Sequence, residues 1–198
     1  GARRIIAQTT HALAMARYFD NDLRAARNLY REGLGLFKEA GCERYAGRVT
    51  HNLAEVEFRV GDIETALRLA HEAARTFRAD RDVSAHGAAL CNRSAYLVSL
   101  NRFEEARGYA HEALVVARDA RSELHIGWAL QHLAAIAALR PGDCRAERLA
   151  DLRRAARVLG FVDERFQELE SARQYTEQQE YDKMVPVLRD ELGPDLDE

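Results

Sequence analysis

The sequence contains no apolar run approaching the roughly 20 residues a membrane-crossing helix needs, and its start carries no signal-peptide core. These absences point away from a membrane and toward the cytoplasm. Lysine is scarce: Lys38 and Lys183 are the only two, the other basic residues are Arg, and no basic block runs along the chain in the manner of a phosphate track. Direct binding of nucleic acid is therefore not expected. Cysteine is sparse too. Cys42, Cys91 and Cys144 are isolated, odd in number and form no CxxC, which fits a reducing compartment better than a disulfide framework. The sequence also lacks GxxxxGK[ST], GxGxxG after a strand, HExxH and GxSxG. No cofactor and no set of acid, base and nucleophile is implied, so the chain is not expected to be an enzyme in its own right.

What is present is a repeat. Of the 198 residues 47% are hydrophobic and 31% charged, with a net charge of -3, the composition of a soluble globular or helical-array protein. Stepping by 40 residues aligns Ala12-Leu13-Ala14, Asn52-Leu53-Ala54, Asn92-Arg93-Ser94 and His132-Leu133-Ala134. The turns follow in phase as Asn21-Asp22-Leu23, Gly61-Asp62-Ile63, Asn101-Arg102-Phe103 and Pro141-Gly142-Asp143, rich in residues that tolerate positive φ or end helices. After each of the first three turns comes a second helix with one face at i, i+4 and i+7 that is mostly small: Ala26, Tyr30 and Gly33, then Ala66, Ala70 and Ala73, then Ala106, Ala110 and Ala113. Small residues on facing positions let two antiparallel helices approach closely, and each pair leaves an apolar flank that the next pair covers.

Asn52-Leu53-Ala54, Gly61-Asp62, Ala66 and Ala73-Ala74 resemble the tetratricopeptide repeat (TPR). The resemblance covers residues 3 to about 119 in three repeats and the first helix of a fourth, about 123 to 140. The first-helix aromatic of that family is replaced by Thr10, Thr50, Leu90 and Leu130, and the period is 40 rather than the usual ~34. The implied fold is all-α, a right-handed superhelical solenoid of antiparallel helix pairs with C-terminal capping helices. Residues 1–172 would form the array, with repeats at about 3–40, 43–80, 84–119 and 123–160 plus an extension, and 173–198 a capping helix and acidic tail.

In the irregular last pair, Leu152, Ala155, Ala156 and Leu159 read as the buried stripe of a helix from Arg145 that runs on through Phe161, Val162 and Phe166. A final helix is expected from near Thr176, capped by its hydroxyl, with Pro186 imposing a kink or restart. Closing segments of this kind resemble the C-terminal ends of large bacterial NTPase regulators of the LuxR and SARP types, and of cyclase fusions. The start at Gly1, without Met, reads as a piece of such a longer protein.

In the TPR architecture first helices line a concave groove, which places Gln8, His11, Met15, Tyr18 and Phe19 there, then Arg48, His51, Asn52, Glu55 and Arg59. Cys91, Asn92, Ala95 and Ser99 follow, then Trp128, Gln131, His132 and Ala135. Amides, histidines and arginines among aromatics suit an extended protein or peptide partner, including other domains of the same protein. The alternative is a small-molecule effector that controls an attached ATPase, DNA-binding or cyclase domain, and a homodimer is compatible with either. The column His11, His51, Cys91 and Gln131 has metal-type side chains in register. Packed helices lie about 8–10 Å apart, too far to share a zinc ion bound at about 2.0–2.3 Å, so no metal is expected. His71 and His111 read as solvated positions on the outer face of second helices, and Glu55/Glu57, Asp80/Asp82 and Glu104/Glu105 as solvated carboxylates.

Overall fold

The 40-residue period resolves into two steps of 20. In the computed structural model, which describes residues 2–142 and 144–193, helices follow one another along the chain, the first seven separated by three-residue connections. They are α1 (Ala2–Phe19), α2 (Leu23–Glu39), α3 (Glu43–Arg59), α4 (Ile63–Ala79), α5 (Val83–Ser99), α6 (Phe103–Asp119), α7 (Glu123–Leu139), α8 (Arg145–Glu168) and α9 (Tyr175–Leu192). Each of α2 to α7 is 17 residues long. No strand occurs among the described residues.

The helices stop where the backbone turns left-handed. Asn21, Gly41, Gly61, Arg81, Asn101 and Arg121 all have φ between 51° and 90°, one every 20 residues. At each, the next residue's N–H reaches back to a carbonyl in the last helical turn, as from Asp22 to Arg17, Asp62 to Glu57 and Arg102 to Leu97, each at 2.9 Å. This is the Schellman arrangement. The following helix starts at once because Asp22, Asp62 and Asp82 accept from the N–H groups of Ala25, Thr65 and Ala85 at 3.1–3.2 Å, a cap worth about 1 kcal/mol each.

The chain forms two units, residues 1–89 and 90–198. In the first, α1 packs on α2, α2 on α3 and α3 on α4. Ala26, Tyr30 and Gly33 of α2 and Ala66, Ala70 and Ala73 of α4 are buried, the stripe expected from the sequence. Gly47 brings α3 against α4 so closely that a Cβ there would lie 2.7 Å from Thr76 Cγ2. In the second unit α7 packs on α6, α8 and α9. Its core joins Ala134, Ala135 and Ala138 of α7 to Leu152, Ala155 and Leu159 of α8 and Met184, Leu188 and Leu192 of α9. Gly127, at the phase of Gly47, leaves room for the ring of Phe166.

The helix from Arg145 runs on through Phe161, Val162 and Phe166 to Glu168; its stripe passes from Leu159 to Val162 and Phe166 at helical spacing and leaves Phe161 exposed on the outer side. Two expectations for the C-terminal part need correction. Thr176 is not the cap of the last helix: α9 begins at Tyr175, Gln174 is its cap residue, and Thr176 is buried. Pro186 does not force a restart, since α9 runs through it. The acidic tail from Pro194 to Glu198 lies outside the described residues, as does Asp143.

Candidate functional site

In the first unit the first-helix residues form a linked polar row. The Tyr18 hydroxyl donates to Glu55, and the Arg59 guanidinium sits 4.7 Å from the Tyr18 ring centroid and donates to Asn21 Oδ1 at 2.6 Å. Burial, the Glu55 charge and the hydrogen bond to Glu55 push the Tyr18 phenol well above its ordinary range, outweighing Arg59. Burial likewise raises Glu55, against the opposing pull of Tyr18 and Arg59. Asn52 Nδ2 lies 3.1 Å from His11 Nε2, and burial with the Arg48 charge lowers the pKa of His11. Arg48 is exposed and donates to Asp82 at 3.3 Å. His51 meets the Phe77 ring edge-on, and desolvation lowers its pKa to about 4. Gln8, Met15 and Phe19 are exposed beside this row.

The carboxylates at 55 and 57 are therefore not solvated. Glu57 is fully buried and receives both Arg27 and Arg31 from α2. Its helix position turns it toward α2, where two guanidinium groups replace its hydration. Asp82 caps α5 and pairs with Arg44 and Arg48, whereas Glu104 and Glu105 are exposed as expected.

In the second unit the residues expected in an open groove are covered by their own chain. Gln131 and His132 are fully buried and Trp128 nearly so, because α9 lies on this face of α7. Gln131 Nε2 donates to the Glu177 carbonyl at 2.6 Å and Gln131 Oε1 accepts from Arg173 Nε at 2.8 Å. Arg173 also pairs with Asp163. His132 Nδ1 is 2.7 Å from Glu180 Oε2, and its Nε2 is 3.5 Å from Glu177 Oε1. Desolvation disfavours the imidazolium, yet Glu180 and the Cys91 thiol together hold its pKa well above the ordinary value. Burial raises both the Cys91 thiol and the Glu177 carboxyl. Asn92 is half-buried.

Sequence reasoning missed Glu177 and Glu180. The signal was available: both continue the α9 stripe of Met184, Leu188 and Leu192 at spacings of three and four residues, and an acidic residue on an apolar stripe needs a buried partner. Among the described residues no group of three or more His, Cys, Asp or Glu side chains is arranged to hold a metal ion, and no helix is long and apolar enough to cross a membrane.

No protein-family model and no curated protein matches the sequence. Solved structures do match. The apo form of RapI superposes with a TM-score of 0.70 at 15% identity, over 94% of this chain and 69% of that one. BtubC (BKLC) from P. vanneervenii gives 0.62 at 17% identity, over 96% and 83%. A single-residue variant of a Podosopora anserina putative kinesin light chain with nearly identical TPR-like repeats gives 0.54 at 13% identity, over 96% and 97%. The fold is a TPR-like array of helix pairs.

Proposed function

We propose that this chain is a scaffold that binds a protein or peptide segment through the first-helix faces of α1 and α3. The observation that carries this reading is the row Tyr18–Glu55–Arg59–Asn21 with Asn52–His11, polar groups already tied to one another beside exposed Gln8, Met15, Phe19 and Arg48. Side chains fixed before binding lose little entropy on contact, and amides beside aromatics suit the alternating polar and apolar character of an extended backbone. The TPR-like fold supports an interaction role by analogy. On the same reading the chain is the sensor or interaction part of a larger cytoplasmic regulator of the LuxR or SARP kind, residues 1–172 forming the working array and 173–198 its cap.

The test is a screen of a random peptide library against the full chain, followed by titration of a selected peptide into Asn52→Ala. One lost hydrogen bond of about 0.5–1.5 kcal/mol lowers affinity roughly 2- to 13-fold. Unchanged affinity with a lowered melting temperature would return Asn52 to a purely structural role and sink the reading.

A further inference from the structure

The repeat register brings two notches of the array into comparison, one in each unit. In the first, Glu57 of α3 is sealed from solvent between α3 and α2: Arg27 Nε and Arg31 Nη2 each lie 2.9 Å from Oε1, and Arg27 Nη2 lies 2.6 Å from Oε2. Two cations and one carboxylate complete each other there. Moving 80 residues along the sequence, Arg27 becomes Arg107, Arg31 becomes His111 and Glu57 becomes Ala137. The helices correspond without a gap, since α2 and α6 start at 23 and 103 and α3 and α7 at 43 and 123. One arginine persists and a histidine replaces the other, while the carboxylate is lost.

At the second notch there is a cavity of about 310 Å³, lined by Arg107, His111 and Ala137 and closed on the other side by α8. Its apolar wall is made by Leu130, Leu133 and Val158. Around the mouth, Arg107 pairs with Glu104 at 2.5 Å, Arg140 with Glu104 and Asp151 at 3.3 and 3.2 Å, and Arg154 with Asp151 at 3.5 Å. Three guanidinium groups thus share two carboxylates, and the lining has one positive charge in excess before His111 is considered.

We propose that this cavity binds a small amphipathic carboxylic acid, whose carboxylate takes the place that Glu57 fills in the first notch and whose apolar body lies against Leu130, Leu133 and Val158. The volume is at the lower end of small-ligand sites, about 300–1,000 Å³, and so fits a medium-length acyl chain or one aromatic ring. The site lies on a different face of α7 from Gln131 and His132, and it does not depend on the peptide-binding reading.

Calorimetric titration of the full chain at neutral pH with octanoate, octan-1-ol and octylamine tests this. Octanoate is expected to bind at one saturable site, about tenfold or more tighter than octan-1-ol, with octylamine weakest, because a charge-assisted pair with Arg is available only to the acid. Ala137→Glu supplies the carboxylate from within. It is expected to abolish octanoate binding while leaving the melting temperature unchanged or raised. Arg107→Gln, at an exposed position, is expected to weaken octanoate about tenfold without changing octan-1-ol. Octanoate binding no tighter than octan-1-ol overturns the proposal, as does wild-type affinity in Arg107→Gln, which decides alone should Ala137→Glu not fold.

Discussion

His132 Nδ1 lies 2.7 Å from Glu180 Oε2 with both side chains removed from solvent, so a buried ion pair ties the C-terminal helix α9 to α7. Breaking such a pair from one side leaves an uncompensated buried charge. Glu180→Ala is therefore expected to cost about 3–5 kcal/mol in urea unfolding and to speed hydrogen exchange along 175–192 more than along α2 or α3. The pH dependence has a definite sign. His132 has a folded pKa raised above its unfolded value near 6.5, so its contribution is fully present below about pH 6.5 and is lost as pH rises through the folded pKa. Glu177, raised by burial, acts in the same direction from its lower starting value, and Cys91, Glu177 and Glu180 are the titratable groups that face His132. Stability that stays flat above pH 6.5 would show that the pair is not ionic.

His51 titrates in the opposite sense. Its folded pKa is lowered from 6.5 to about 4 by desolvation, so the neutral ring is favoured on folding and its stabilisation is lost as pH falls from about 6.5 toward 4. His51→Phe, next to the Phe77 ring, is expected to flatten the acid side of the stability curve by up to about 1.4 kcal/mol per pH unit. His11, lowered by burial and Arg48, and His125, lowered by burial, add slope of the same sign.

Ala66 and Ala106 are both fully buried at the same phase of a second helix. Enlarging either to Leu is expected to destabilise by about 1–3 kcal/mol, because a close helix contact has no room to expand. Chemical denaturation of both variants checks this, and neutrality at both sites would mean that the helix pairs are not held by this stripe.

Arg81 and Arg121 hold φ of 57° and 51° at turns where Gly41 and Gly61 occupy the equivalent position without steric cost. The left-handed conformation costs an ordinary side chain about 1–2 kcal/mol, partly offset by the greater freedom of glycine when unfolded. Arg81→Gly and Arg121→Gly are each expected to raise stability by about 0.5–1 kcal/mol. Thermal melts that fall instead would assign the arginine side chains contacts that outweigh the backbone term.

Much of the fold was legible because helix and turn signals are local. Asn21 and Gly61 tolerate the left-handed backbone that ends a helix, and Ala66, Ala70 and Ala73 lie on one face by helical geometry alone. The candidate site was legible only in part. Phase placed Tyr18, Asn52, Glu55 and Arg59 on comparable faces, yet nothing in the spacing joined Tyr18 to Glu55 or Asn52 to His11.

The sequence by itself determined the repeat of helix pairs, the turns at 21, 61 and 101 and the apolar stripe of the second helices, since these follow from backbone preference and side-chain period within a few residues. Only the tertiary structure decided which polar side chains are sealed inside. Glu57 and His132 sit on helices whose sequence marks them as polar, and their burial depends on partners far along the chain: Arg27 and Arg31 for one, Glu177 and Glu180 for the other. A charge removed from water is tolerable only where an opposite charge meets it, and that meeting is set by packing between helices rather than by any local pattern.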